Sequence, residues 1–266
     1  MKEILVVIVL YKSIIRETIT YQTLISRYCD IALYVYDNSP HSQSLSISNA
    51  IYVHDSQNRG VSVAYNSACL YAKENGYDWI LLLDQDTNFA NISIEDYIYA
   101  ISTHPEIKIF APKVKTGDKY MSPIKVWNHL AVLQKSVPSG FVQLSRYSII
   151  NSGMCINVDA MMDCGGYNDA VFLDYSDHEF IRRFRNLYTT AFILDKEIYQ
   201  DFSVVSDDKE STILRYQFFC KSISRCMRTG ISDNFWYFVL ILKRGLSICV
   251  RLRTMLPIKI LWKDYL

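Results

Sequence analysis

An α/β fold is predicted: a doubly wound sheet followed by a helical appendage. Three observations predict it. Apolar runs rich in β-branched residues recur as ILVVIVL (4–10), IALYVYDNS (31–39) and WILLL (79–83), the continuous pattern of strands buried on both faces. Segments with helical spacing alternate with them. The polar clusters Asp37-Asn38, Asn58-Arg59-Gly60 and Asp84-Asp86 fall at or near strand ends, where ligands sit in such sheets.

The elements follow in order. ILVVIVL is the first strand; the apolar part of MKEILVVIVLYKS is too short for a leader and no cleavage site follows. YKSIIRETITYQTLISRY (11–28) has helical spacing, with Ile15, Ile19, Leu24 and Ile25 at apolar positions. The strand at 31–39 ends in Asp37-Asn38-Ser39, and IYVH (51–54) is a short strand before the turn NRG (58–60). VSVAYNSACLYAKENG (61–76) is a helix with Gly76 as its C-terminal cap. The strand at 79–83 runs into Asp84 and Asp86. A strand is expected around 107–114, then a polar, irregular stretch from Lys115 to about Asn128, then strands near 138–144 and 153–158. Gly165-Gly166 marks a turn before a charged helix, and TTAFILD (189–195) is a further strand. The composition shifts near 210, which divides the chain into a body (1–210) and a helical appendage (211–266).

Half of the 266 residues are hydrophobic, enough for a sizeable core and incompatible with a disordered chain. Seven cysteines are scattered without a CxxC pair, so they read as reduced core residues of a cytosolic protein. The net charge of +1 hides an asymmetry. Residues 211–266 hold ten Lys/Arg against two Asp/Glu, while the body holds 18 against 25. A basic tail calls for an anionic partner. Its charges interleave with FWYFVLIL (235–242), which favours a membrane surface over nucleic acid. Packing on the body, or a homodimer interface, is the other use for these apolar residues. No run reaches the roughly 18–20 apolar residues of a spanning helix.

Two carboxylates separated by one residue cannot share a dry core; they mark the place where the strand ends. Such a pair suits Mg2+ or Mn2+ bridging to phosphate oxygens, although D-x-D alone equally describes a solvated loop. No GxGxxG follows the first strand and no GxxxxGK[ST] occurs, which disfavours a dinucleotide site and a P-loop. Nucleotidyltransferases also pair Asp at strand ends, but LYKSIIRE lacks the glycine-rich first loop they carry. A second acidic cluster lies in FLDYSDHEFIRRF (172–184). Glu179 and Arg183 are spaced to pair on a helix, which leaves Asp177 the freer carboxylate and a candidate general base. A solvated, salt-bridged helix is the alternative. His54, His104 and His129 read as surface or turn residues, and Cys155 and Cys164 as small core residues.

Over roughly residues 4–205 the chain resembles family 2 glycosyltransferases of the GT-A fold, within them the rhamnosyltransferase-like enzymes of O-antigen and capsule assembly. The resemblance rests on four ordered segments: VVIVLYKS (6–13), VYDNS (35–39), NRGVSVAYNSACLYAKENGYDWILLLDQDT (58–87) and NSGMCINVDAMMDCGGYNDAVFLDYSDHEFIRR (151–183). It implies a GT-A (Rossmann-like) mixed sheet and an inverting, metal-dependent hexosyl transfer. It implies that Tyr11, Asp37 and Asn38 meet the nucleotide base, with Asn58 and Gly60 in the donor-binding set. Asp84 would approach the ribose, Asp86 would ligate the metal together with Asp84, and Gly153, beside Ser152, would line the donor–acceptor junction. Asp177 would be the base, held by Glu179 and Arg183. The implied donor is a nucleoside-diphosphate sugar: dTDP-L-rhamnose, or alternatively UDP-galactose or UDP-glucose. The implied acceptor is a polyprenyl-diphosphate-linked oligosaccharide at the inner face of the cytoplasmic membrane. Where many relatives carry a His after the strand that follows the base helix, LDKEIYQDFS has Gln200 and Asp201, so no His ligand carries over. A non-catalytic sugar-nucleotide-binding assembly protein is the more distant alternative; it predicts a missing base, and Asp177 is present.

Overall fold

Parity along the first strand sets the architecture. In β1 (Ile4–Leu10), Leu5, Val7 and Val9 enter one hydrophobic core while Ile4, Val6, Ile8 and Leu10 enter another, because successive side chains of a strand point to opposite faces. Both faces are apolar, so both need a covering layer. The computed structural model, which describes residues 4–45, 47–200, 209–228 and 230–264, shows those layers.

After β1 come α1 (Ile19–Thr23), β2 (Leu33–Asp37), β3 (Ala50–His54), α2 (Val61–Glu74) and β4 (Trp79–Asp84). The four strands pair in parallel in the order 3-2-1-4. Register sets Leu10 opposite Asp37 and Val9 opposite Asp84. The end of β1 therefore lies between two strand ends that carry carboxylates.

Beyond β4 follow β5 (Thr87–Asn88), α3 (Ile94–Thr103), β6 (Ile109–Thr116), β7 (Lys119–Trp127), β8 (Leu130–Gln134), β9 (Gly140–Gln143), β10 (Tyr147–Ser148) and β11 (Cys155–Asn157). Then come α4 (Val158–Asp163), α5 (Ser176–Phe184) and β12 (Thr190–Gln200). β11 inserts antiparallel between β4 and β6 and ends the parallel half of the sheet. β12 runs parallel to β6 and then pairs with β5, setting Gln200 opposite Thr87. That pairing brings the end of β12 back to the end of β4. Residues of α2, α4 and α5, among them Ala68, Met161 and Phe180, fill one core. Tyr97 of α3 fills the other with Ile15, Leu24 and Ile25 around α1.

At the C-terminal end, α6 (Lys209–Arg225), α7 (Ile231–Leu252) and α8 (Leu256–Asp264) enclose a third core around Tyr216, Phe219, Tyr237 and Ile241. Val171 and Tyr175, from the loop before α5, join it. Among the described residues no helix is long and apolar enough to cross a membrane.

Several elements differ from expectation. The helix expected over 11–28 is broken into α1 and two 3-10 turns. Thr18 adopts an extended conformation; its hydroxyl donates to the Ile15 carbonyl and accepts from the Tyr21 amide. This is the competition by which Ser and Thr favour caps over helix interiors. The stretch 115–128 is not irregular: β7 pairs antiparallel with β6 and buries Ser122 and Ile124. Its polar composition hides a strand that pairing with its neighbours stabilises. The sequence reading leaves out α3, although a Ser93–Asp96 capping box opens it. Gly76 does end α2, at φ 72°. Asp201 lies outside the described residues, as does the rest of the approach (201–208) to the boundary expected near 210.

Candidate active site

The strand ends open onto one cleft of about 1120 Å3. At its floor the turn after β4 is pinned from below. Thr20 donates from its hydroxyl to the Asp84 carbonyl and to the Thr87 carbonyl at 3.0 Å. The Gln85 side chain accepts from the Tyr11 amide at 2.9 Å and so ties the ends of β4 and β1. β4 ends at Asp84, which is half-buried, and the turn that follows carries Asp86 into the open. Asp84 accepts from Tyr65 at 3.4 Å and from Gln200 at 3.2 Å. Burial, then the charge of Asp86, then that of Asp177 push the Asp84 carboxyl up to about 7 against the lowering bonds from Gln200 and Tyr65.

These residues fit a hard divalent cation. The Gln200 Nε2 group lies across both carboxylates, 3.2 Å from Asp84 and 3.0 Å from Asp86, supplying partial positive charge where it is needed. Its Oε1 is buried without a hydrogen-bond partner. Among the described residues no cluster of three His, Cys, Asp or Glu side chains exists to cage a metal. Two carboxylates with the remaining positions open is the arrangement Mg2+ adopts when a phosphate completes its shell.

The opposite wall is α5. Residues 177, 178, 181, 182 and 185 line the cleft, the three- and four-residue spacing of one helix face, and Asp174 joins them from the loop before the helix. Tyr175 precedes the helix at φ 76°, a costly conformation for a bulky residue and one that persists only when the surroundings impose it. Asp177 is half-buried and makes no ion pair among the described residues; its Oδ1 accepts from the His178 amide at 2.7 Å. Asp174, by contrast, is held by Arg244 at 3.1 Å and Arg215 at 3.7 Å.

Of the residues singled out from sequence, Tyr11, Asn38, Asn58, Gly60, Asp84, Asp86 and Asp177 line the cleft. Gly60 lies against the next wall: an added Cβ would come within 2.3 Å of the Phe172 carbonyl oxygen. The others support from behind. Asp37 is fully buried, accepting from Tyr52 at 2.8 Å, Gln43 at 2.9 Å and the Ser39 amide at 2.9 Å. Gly153 sits in the interior at φ 77°, where a Cβ would meet Pro112 at 2.8 Å. Ser152 is bonded to Thr87 at 2.7 Å. Glu179 and Arg183 form a two-pronged pair, both bonds 2.9 Å, and Arg183 also donates to the carbonyls of Cys164 and Gly166. They clamp α5 to the Gly165-Gly166 turn and do not touch the cleft.

Some cleft residues escape sequence reasoning. His129 is not at the surface: it is buried, 3.3 Å from Asp233 and 4.1 Å from the Tyr237 ring. His178 lines the cleft and bonds Ser148 at 2.6 Å. Ile181 and Arg185 were findable, since they follow Asp177 at four-residue steps. Arg215, Phe218, Phe219, Leu240 and Arg244 come from α6 and α7, and no local pattern announces them. Arg244 in particular turns into the cleft and not outward with the other basic residues of its helix.

No protein-family model and no curated protein matches the chain. Solved structures do. It aligns with S. aureus TarS at TM-score 0.53 and 14% identity, over 88% of this chain and 45% of that one. GalNAc-T7, in a complex with UDP, GalNAc and Mn2+, aligns at TM-score 0.52 and 12% identity, over 90% of this chain and 54% of that one. A Pyrobaculum calidifontis mannosyltransferase bound to GDP-Man and Mn2+ aligns at TM-score 0.54 and 10% identity, over 93% and 75%. The chain thus spans about half the length of the first two. At these identities the likeness is one of fold, and the fold is GT-A.

Proposed function

We propose that the protein is an inverting, cation-dependent glycosyltransferase of the family 2 type. The observation that carries this reading is the placement of Asp84 and Asp86 at a strand end facing an unpaired Asp177 on α5, inside a GT-A fold. Mn2+ and nucleotide or nucleotide-sugar ligands in two similar structures support it.

Asp86 and Asp84 would hold Mg2+ or Mn2+ on the donor diphosphate, and Gln200 would give way or turn its amide. The cation, when bound, supplies charge neutralisation for the departing diphosphate. Tyr11 and Asn38 line the base side of the cleft. Asp37, locked by its three donors, fixes the loop that carries Asn38. Asp177 accepts the proton of the acceptor hydroxyl, which then attacks the anomeric carbon from the face opposite the nucleotide. Glu179 and Arg183 keep Asp177 in place.

The donor we assign is dTDP-L-rhamnose, with UDP-galactose and UDP-glucose as alternatives, and the acceptor a lipid-linked oligosaccharide of O-antigen assembly. A peripheral position on the inner, anionic face of the cytoplasmic membrane suits that acceptor. Ile231, Phe235, Leu246 and Val250 form an exposed apolar stripe on α7, and Met255 and Trp262 are exposed beyond it. Lys243, midway along α7, and Arg251 and Arg253 at its C-terminal end are exposed as well. Tyr237 and Ile241 face inward, so α7 both packs and presents a surface.

A thermal-shift panel of dTDP-, UDP- and GDP-sugars with and without Mn2+ tests the reading. One nucleotide is expected to raise Tm only with the cation. No shift with any nucleotide at millimolar concentration would remove the transferase assignment.

A further inference from the structure

β12 delivers one side chain to the acidic pair. Its last residue, Gln200, stands opposite Thr87, the residue after Asp86. The Gln200 carbonyl accepts from the hydroxyl of Thr116, at the end of β6, at 2.5 Å. The backbone is thus fixed from β5 and from β6, and only the side chain is left to turn. That side chain lines the cleft, yet the residue is only 5% exposed.

The two ends of its amide are unequally satisfied. Nε2 donates to Asp84 at 3.2 Å and to Asp86 at 3.0 Å. Oε1 is buried and accepts from no group among the described residues. A buried acceptor without a donor is destabilising. Structural needs alone do not select an amide here. A lysine or arginine would neutralise the pair and shut out a cation, and an apolar side chain of the same size would avoid the orphaned carbonyl. Glutamine instead carries a donor and an acceptor on one planar group, whose ends exchange by a half-turn with almost no change in volume.

We infer that Gln200 is a ligand of the cation site, a third and neutral oxygen beside Asp84 and Asp86, and that its amide turns over as the cation binds. The nitrogen end suits bare carboxylates, to which it offers partial positive charge. A cation between them repels that end and attracts the carbonyl. An oxygen-only set of this kind suits Mg2+ and Mn2+. The inference rests on the cation reading of this cleft and is indifferent to which sugar or acceptor the protein uses.

Mn2+ alone, titrated into the protein and followed by the EPR signal of the free aqua ion, tests it without donor or turnover. The wild-type chain should bind, and Asp86→Ala should lose that binding. Gln200→Leu should weaken Mn2+ about tenfold or more. Gln200→Glu, which keeps an oxygen and adds charge, should bind at least as tightly as wild type. Gln200→His should raise the affinity for Ni2+ relative to Mn2+, since imidazole suits the former. If the amide merely plugs the pair through its nitrogen, removing it frees the carboxylates. Equal or tighter Mn2+ binding by Gln200→Leu would therefore overturn the ligand role while leaving the cation reading standing. An unchanged Ni2+ to Mn2+ ratio in Gln200→His would overturn it too, even where Gln200→Leu fails to fold. Mn2+ binding that survives Asp86→Ala, or none by the wild-type chain, would sink the cation reading itself and the ligand role with it.

Discussion

The two charged regions of the cleft are built on opposite plans. At the strand end, Asp84 and Asp86 sit two positions apart on one short segment, and the protein offers them no cation among the described residues, only the Gln200 amide and, for Asp84, the Tyr65 hydroxyl. On the helical wall every described carboxylate but Asp177 is answered: Glu179 by Arg183 one turn on, the others by partners distant in sequence, with 51 residues between Arg182 and Asp233 and 70 between Arg244 and Asp174. The first region is left electrostatically incomplete, as a ligand site must be. The second is largely satisfied internally and holds the fold. Substitutions at the strand end should therefore cost activity with little loss of stability, and those in the paired network the reverse.

The sharpest way to break this contrast is Asp86→Ala. Asp86 is exposed and belongs to none of the three cores, so transfer should fall to background while Tm is unchanged. Full activity, or full activity in excess chelator, would remove the cation-assisted mechanism. Next in size is Asp177→Asn. The amide keeps the shape but takes no proton, and turnover should drop roughly 10²–10⁴-fold with donor affinity retained. Normal turnover here, with a dead Asp174→Asn, would move the base to Asp174, despite its two arginine partners.

The paired network is probed by Arg183→Met. It strands Glu179, whose side chain is 2% exposed. An uncompensated buried charge costs about 3–5 kcal/mol, a Tm loss of roughly 6–20 °C for a chain this long. A melt within 2 °C of wild type, on the order of the effect of a half-kilocalorie change, would show that the pair does not clamp α5. The smallest expected effect lies outside the cleft. Replacing Lys243, Arg251 and Arg253 by Gln should weaken binding to anionic vesicles by about 1 kcal/mol per charge, with catalysis on a soluble acceptor intact. Absence of vesicle binding by the wild-type chain at low salt would return the exposed stripe of α7 to a dimer interface.

Legibility followed the same division. β1, β2 and β4 could be read because a strand buried on both faces must be apolar at nearly every position, and the charge that ends it must lie at the rim. That argument located Asp84 and Asp86, and helical spacing located the Glu179–Arg183 pair. α1 was misread because apolar spacing at Ile15, Ile19 and Leu24 looks helical even where the Thr18 hydroxyl breaks the helix. β7 was misread because its polar composition conceals a strand that pairing with β6, β8 and β10 stabilises. His129 looked like a turn residue because its partners, Tyr175, Asp233 and Tyr237, lie 46 or more positions away.

By itself the sequence determined the α/β class, the strand ends that bear carboxylates, and the helix that bears Asp177. These follow from periodicity and from the cost of burying charge, both of which act over a few neighbouring residues. Only the tertiary structure decided that Asp37 and Gly153 serve from behind the cleft. It alone decided that Gln200 spans the acidic pair, and that Arg215 and Arg244 turn inward from the C-terminal helices to meet Asp174. Those placements depend on how the sheet twists β12 back to β5 and on which face of α7 finds the third core. Neither is encoded in local spacing, because packing between distant elements is settled by the shape and charge of both partners at once.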